Sequence, residues 1–130
     1  MLIPLFAAIA PFLVWPIEFF FPYPYVIEEL AKAILVLIVI QSTPNGAMKF
    51  KLTVLVGVLF AFSETVFYIT NLFLVGNLTM FFERLLWTTP LHTITSLIIL
   101  LPTFINKKLM PVGLILAMIV HYYFNLFVGR

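Results

Sequence analysis

Six ionisable side chains stand inside stretches that are otherwise hydrocarbon: Glu28, Glu29, Lys32, Glu64, His92 and His121. Three carboxylates, two imidazoles and an ammonium make a proton-handling set. A carboxylate or imidazole can take a proton from water, a partner can protonate a leaving group, and hydrogen-bond donors can stabilise an oxyanion. Carboxylates crowded in a low dielectric do not all ionise, so one would serve as acid while another serves as base. Residues four apart share a helix face, and each stretch offers such a polar pair: Glu28 with Lys32, Glu64 with Tyr68, His92 with Ser96, and His121 with Asn125. Lys32 and Arg84 would offset part of the negative charge.

The elements that must carry these groups follow from composition. Of 130 residues, 64% are hydrophobic and only 9% charged, with mean hydropathy +1.20, whereas soluble domains carry about a quarter charged residues. The solvent is therefore a lipid bilayer. Hydrocarbon about 30 Å thick takes roughly 20 apolar residues per helix, which gives an all-α polytopic membrane protein, a bundle of about five transmembrane helices forming one domain over residues 1–130. Expected spans run from Leu2 to Phe21, Val26 to Gln41, Leu52 to Val75, Met80 to Leu101 and Leu109 to Val128. Pro4, Pro11 and Pro16 interrupt the first, and Pro22 to Tyr25 form an interfacial turn. The polar stretch Ser42 to Lys51 reads as the clearest loop, with further breaks at Gly76–Asn77 and Pro102–Lys108. Seven scattered basic residues make no patch for nucleic acid, and without cysteine there is no disulfide frame, thiolate nucleophile or Cys-based metal site.

Lys49 and Lys51 after the second span, and Lys107 and Lys108 after the fourth, set the orientation. By the positive-inside rule their face and the N-terminus are cytoplasmic, with the Gly76 to Thr79 turn and Arg130 outside. Met1 to Trp15 lacks a leading basic residue and a small-residue cleavage pattern, so it is expected to be a retained membrane segment rather than a signal peptide. Glu18 reads as an interfacial charge, and Trp15, Trp87 and the terminal Tyr residues as belt aromatics. At 1.5 Å per residue, Glu29, Glu64 and His121 each lie roughly 18 Å from the basic end of their spans, and His92 roughly 14 Å. Four helices thus bring polar groups to one level. A charge near the bilayer centre costs about 2.5 kcal/mol or more; cross-helix packing bonds would account for one stray polar group but do not call for five acid–base groups together.

These motifs resemble a known family, the PrsW-type intramembrane proteases, within the group that also holds the CAAX prenyl proteases. Glu28-Glu29-Leu30-Ala31-Lys32 matches an EExxK motif, and Gly57, Phe60, Ala61, Glu64 and Tyr68 a GxxFAxxExxxY motif. Arg84, Pro90 and His92, continued to Ser96, match RxxxxxPxH, and His121 with Asn125 matches HxxxN. Glu64 stands where CAAX-type relatives carry His, and Lys32 replaces their Arg, which favours the PrsW-like branch, although Thr65 stands where that branch often has Asn. The resemblance implies an intramembrane endopeptidase in the cell membrane, acting on a transmembrane or membrane-anchored protein. Glu28 or Glu29 would activate the attacking water, and Lys32 would hold that carboxylate pair. Glu64, His92 and His121 would complete the site, with Asn125 as oxyanion donor. No cofactor is favoured. If Zn²⁺ is present, Glu64, His92 and His121 would be its ligands, yet no HExxH pair occurs and a metal-free carboxylate mechanism is preferred. The alternatives are a proton or ion pathway, a helix-binding scaffold, or an inactive relative of these proteases.

Overall fold

The computed structural model describes residues 2–71 and 78–128, with the side chains of 69–71 excepted. Five α-helices follow one another: α1 (Ile3–Phe20), α2 (Pro24–Ser42), α3 (Gly46–Asn71), α4 (Leu78–Leu100) and α5 (Met110–Val128), the last two joined by two 3₁₀ turns, Leu101–Phe104 and Lys107–Leu109. The expected break at Gly76–Asn77 and the terminal Arg130 lie outside the described residues. Among the described residues, four segments are long and apolar enough to cross a membrane, Ile3–Phe20, Gly46–Tyr68, Leu78–Phe104 and Lys107–Val128. The chain is an all-α polytopic membrane protein. Helix α2 differs from these four because Glu28, Glu29 and Lys32 dilute its apolar character, and it packs against each of the other four helices. Its outer stripe, Leu30, Ile34 and Leu37, is exposed, while Glu28, Glu29, Lys32, Ala33, Val36 and Val39 are buried. In lipid that is the expected arrangement: apolar side chains face outward and polar groups gather inside.

Several boundaries depart from the sequence expectation. The stretch Ser42 to Lys51 is mostly helix, and only Thr43 to Asn45 connects α2 to α3. Thr43 is extended (φ −129°, ψ 114°), as the residue before a proline prefers, and the Asn45 side chain then accepts from Ala47 N at 2.9 Å and Met48 N at 3.3 Å. This cap starts α3 at once, so Lys49 and Lys51 sit in its opening turns rather than in a loop. The second basic stretch is ordered likewise, with Asn106 Oδ1 accepting from Lys108 N at 2.9 Å. The two basic connections meet: the Cβ position of Gly46 lies 3.5 Å from the Phe104 ring. Helix α1 runs unbroken through Pro11 and Pro16, and α4 through Pro90, which is tolerated in membrane helices where neighbouring groups re-satisfy the freed carbonyls.

Two apolar clusters flank the C-terminal half of α2. Ile3, Ala7, Leu35, Val39, Leu52, Val56 and Phe60 knit α1, α2 and α3; Ala33, Val36, Ile40, Ile99, Leu100 and Ala117 knit α2, α4 and α5. The polar residues of α2 begin where these clusters stop. Helix α4 is squeezed between α3 and α5 by two glycines. A Cβ at Gly57 would fall 2.5 Å from Thr93 Cα and 2.7 Å from the His92 carbonyl oxygen, and one at Gly113 would fall 2.5 Å from Ile98 O. Small residues at such crossings let backbones touch in the absence of a hydrophobic drive between helices. Gly57→Ala is therefore expected to push α4 away from α3 and to destabilise the protein by about 1–3 kcal/mol, the usual cost of overpacking. Thermal unfolding in detergent measures it; an unchanged midpoint would mean that the contact is not maintained.

Candidate functional site

At the level where the apolar clusters end, the side chains of α2, α3, α4 and α5 form a continuous polar network. Lys32 is its centre and is wholly buried. Its Nζ donates to Glu29 Oε1 at 2.5 Å, to Thr95 Oγ1 at 2.7 Å and to His92 Nδ1 at 3.0 Å. Those three bonds use all the donors an ammonium has, so the cost of burying the charge is met by a carboxylate, a hydroxyl and an imidazole from two helices. The same contact sets the state of His92. With Nδ1 accepting from Lys32, the ring proton lies on Nε2, which donates to Glu64 Oε2 at 2.5 Å. Glu64 Oε1 in turn accepts from Arg84 Nη2 at 2.7 Å, and the guanidinium lies 3.7 Å over the Tyr68 ring, a cation–π contact.

His121 is held differently. Its Nδ1 is 2.7 Å from Glu29 Oε1, and because a carboxylate oxygen only accepts, Nδ1 carries a proton, which leaves Nε2 as the second ring nitrogen. That nitrogen is buried without a hydrogen-bond partner and lies 3.6 Å from Glu28 Oε2. The two histidine rings meet edge to face, centroids 5.4 Å apart. Ser96 Oγ and Asn125 Oδ1 are likewise buried without partners. Glu28, Glu64, Arg84 and Asn125 line a cavity of about 690 Å³ walled by Trp15, Tyr25, Phe67, Tyr68, Tyr122 and Leu126.

Of the residues singled out for chemistry in the sequence, Glu28, Glu29, Lys32, Glu64, Tyr68, Arg84, His92, His121 and Asn125 belong to this network or line the cavity beside it, while Ser96 is buried with its hydroxyl unbonded. Their pairings differ from the simple helical spacing. Lys32 bonds Glu29, three residues before it, and His92, rather than holding Glu28 and Glu29 as a pair. This follows from α2's packing, because Glu29 and Lys32 point inward while Glu28 turns to the cavity wall. His92 takes partners from α2 and α3, and Ser96 is not among them. The groups that approach as possible metal ligands are Glu28, His92 and His121, whose ligand atoms lie within 4.8 Å of one another; Glu64 is replaced in that set because Arg84 and His92 occupy its two oxygens. Even so, the fit to a resident cation is poor. His92 Nδ1 is taken by an ammonium and Nε2 faces Glu64 with a proton, which leaves only Glu28 and His121 Nε2.

Thr95 was not singled out by sequence, though it repeats the α4 face of Thr88 and His92 at positions seven and three residues away, and all three are buried. Thr88 extends this face to α3 through Thr65, hydroxyl to hydroxyl at 3.2 Å. Trp15 is not simply a belt residue: its ring packs on Phe67 at 5.2 Å and, with Glu18, it reaches the cavity from α1.

Fold and site together define a polytopic helical membrane protein with an enclosed acid–base cluster opening into an aromatic-walled cavity. Comparison with protein-family models, with curated proteins and with solved structures found no match to this chain.

Proposed function

We propose that this protein is an intramembrane endopeptidase that hydrolyses a peptide bond of a transmembrane or membrane-anchored protein, using a water activated by Glu28. The observation that carries the reading is the approach of Glu28 Oε2 to Nε2 of His121 at 3.6 Å, at the wall of a cavity of about 690 Å³. A water between these two groups donates a hydrogen to Glu28. Glu28 takes its proton as the oxygen attacks the scissile carbonyl carbon, and the same carboxyl later delivers that proton to the leaving amine. The oxyanion forms beside the Asn125 side-chain amide and Arg84, whose Nε is a buried donor with no protein partner, so two donors serve the developing charge. Glu29 orients His121, and Lys32 with Glu64 fixes His92. The motif resemblance supports an endopeptidase whose base is Glu28 or Glu29 and whose oxyanion donor is Asn125. The cytoplasmic placement of the N-terminus rests on the four lysines gathered at one end of the bundle, and the cell membrane on the motif resemblance alone.

The hydrogen-bonded state of His92 favours water over a metal ion. Purified protein dialysed against a chelator is expected to retain its cleavage of single-span membrane peptides and to contain no stoichiometric zinc by elemental analysis. Loss of cleavage on chelation with recovery on adding Zn²⁺ would assign the chemistry to a metal instead.

A further inference from the structure

The helices adjoin in a ring, α1 to α2, α2 to α5, α5 to α4, α4 to α3 and α3 to α1, and residues of all five line the cavity. On the side of the polar network away from the four lysines, four of these five seams are bridged. Phe67 of α3 packs against Phe12 and Trp15 of α1, with ring centroids 5.4 and 5.2 Å apart. Only Phe21, Pro22 and Tyr23 separate α1 from α2. Tyr25 of α2 meets Tyr122 of α5 at 5.8 Å, and Glu64 of α3 holds Arg84 of α4 at 2.7 Å. The α4–α5 seam is built differently. It is tight near the lysines, where Gly113 brings α5 onto the Ile98 carbonyl, and the edge-to-face pair of His92 and His121 continues it to the level of the network. Past that pair burial ceases. Among the described residues, α5 has none buried after His121 and α4 none before Thr88, and both Thr88 and Arg84 turn to α3. Leu126 of α5 lines the cavity and is 58% exposed, more than Trp15, Tyr68 or Tyr122 in the same wall. The two helices therefore part from the network onward, and the cavity opens between them toward hydrocarbon.

We infer that the cleft between α4 and α5 is the entry to the site from the bilayer, and that its occupant is one transmembrane segment of the substrate protein. The inference rests on the endopeptidase reading for what happens to that segment once inside. A span surrounded by lipid stays helical because unpaired peptide groups are costly there, so it has to be unwound where polar partners wait. The cleft meets that need. Leu85, two helical turns before His92 on the same face, and Leu126 give it apolar edges for the side chains of the incoming helix, while Arg84 and Asn125 stand just inside to receive its backbone. Entry through any other seam would break one of the bridges described above.

Two measurements test it, and the first needs no cleavage. In Glu28→Gln protein reconstituted in liposomes with single-span peptides, the photoreactive residue p-benzoylphenylalanine replaces Leu85 in one preparation and Phe12, on the bridged α1–α3 seam, in another. Cross-linking to peptide is expected from the first position and not from the second. Equal labelling from both, labelling from the Phe12 position alone, labelling from neither, or phospholipid captured at the Leu85 position in place of peptide would each overturn the entry. In the second arm the absence of native cysteine lets single seams be tied. Leu85→Cys with Leu126→Cys, joined by a bismaleimide, closes the α4–α5 cleft; Phe62→Cys with Phe81→Cys, whose rings lie 6.4 Å apart in the native chain, ties α3 to α4 in the same way. Each pair is compared with itself before linking. Peptide cleavage is expected to be lost on linking α4 to α5 and to persist on linking α3 to α4. Cleavage that survives the α4–α5 link would reject the entry and leave the protease reading standing. If wild type cuts no peptide, the protease reading falls, and the photocross-linking still decides whether the cleft admits a membrane segment.

Discussion

Glu28→Gln is expected to lower kcat for peptide cleavage by about a thousandfold or more, within the range that general-base and positioning contributions reach together, while leaving folding intact. The amide keeps the size and one acceptor of the carboxylate but cannot accept the proton of the attacking water. Glu28 lies at the cavity wall and is not a member of the Glu29–Lys32 or Glu64–Arg84 pair, both of which are expected to persist when it is neutralised. The neighbouring substitution Glu29→Gln separates the two roles. Glu29 Oε1 holds both Lys32 and His121, so its loss is expected to lower stability as well as activity. Single-turnover cleavage and thermal unfolding on the same preparations distinguish them. If Glu28→Gln cleaves like wild type, or if it is the variant that unfolds, the assignment of the base is wrong.

The second large effect concerns stability. Lys32→Met removes the ammonium that three acceptors share and leaves Glu29 buried with one remaining partner, a situation that costs about 3–5 kcal/mol when one member of a buried ion pair is deleted. Replacing both members is different in kind, since an apolar or neutral pair carries no uncompensated charge. Lys32→Met combined with Glu29→Gln is therefore expected to be more stable than Lys32→Met alone, a non-additivity typical of residues in one network. Unfolding in detergent of wild type, both single variants and the double variant gives the coupling. Strict additivity would mean that Lys32 and Glu29 do not depend on each other, against the 2.5 Å contact. Activity is expected to be lost in every Lys32→Met background, because His92 then has no donor to fix its ring proton on Nε2.

How much of this is legible in the sequence depends on what the bilayer enforces. Six ionisable residues in apolar spans had to be gathered inside, because lipid excludes them, and counting helical rise from the basic ends was enough to put Glu29, Glu64, His92 and His121 near one level. Composition likewise dictated the helical bundle. What counting residues does not give is rotation about each helix axis. Glu28 and Glu29 are neighbours in sequence, yet a rotation of about 100° between successive residues turns one to the cavity and the other to Lys32. Thr95 was hidden for the same reason, since a threonine in a membrane helix carries no charge to mark it and matters only because Lys32 arrives from α2. The start of α3 at Gly46 was obscured by the polar character of residues 42–51, where the cap made by Asn45 decides the matter. Glu18 and Trp15 looked interfacial because α1 carries no motif, and only tertiary packing brings them to the cavity.

On the endopeptidase reading proposed above, the Glu28–His121 pair hydrolyses a peptide bond within the membrane. The most direct measurement is mass spectrometry of products formed when the purified protein, reconstituted in liposomes, is incubated in H₂¹⁸O with a library of single-span peptides. Two complementary fragments are expected from a susceptible peptide, with one ¹⁸O in the new carboxyl terminus, and neither product with Glu28→Gln. Intact peptides throughout, with a proton flux across the same liposomes that Glu28→Gln abolishes, would contradict that reading and assign the buried network to ion conduction.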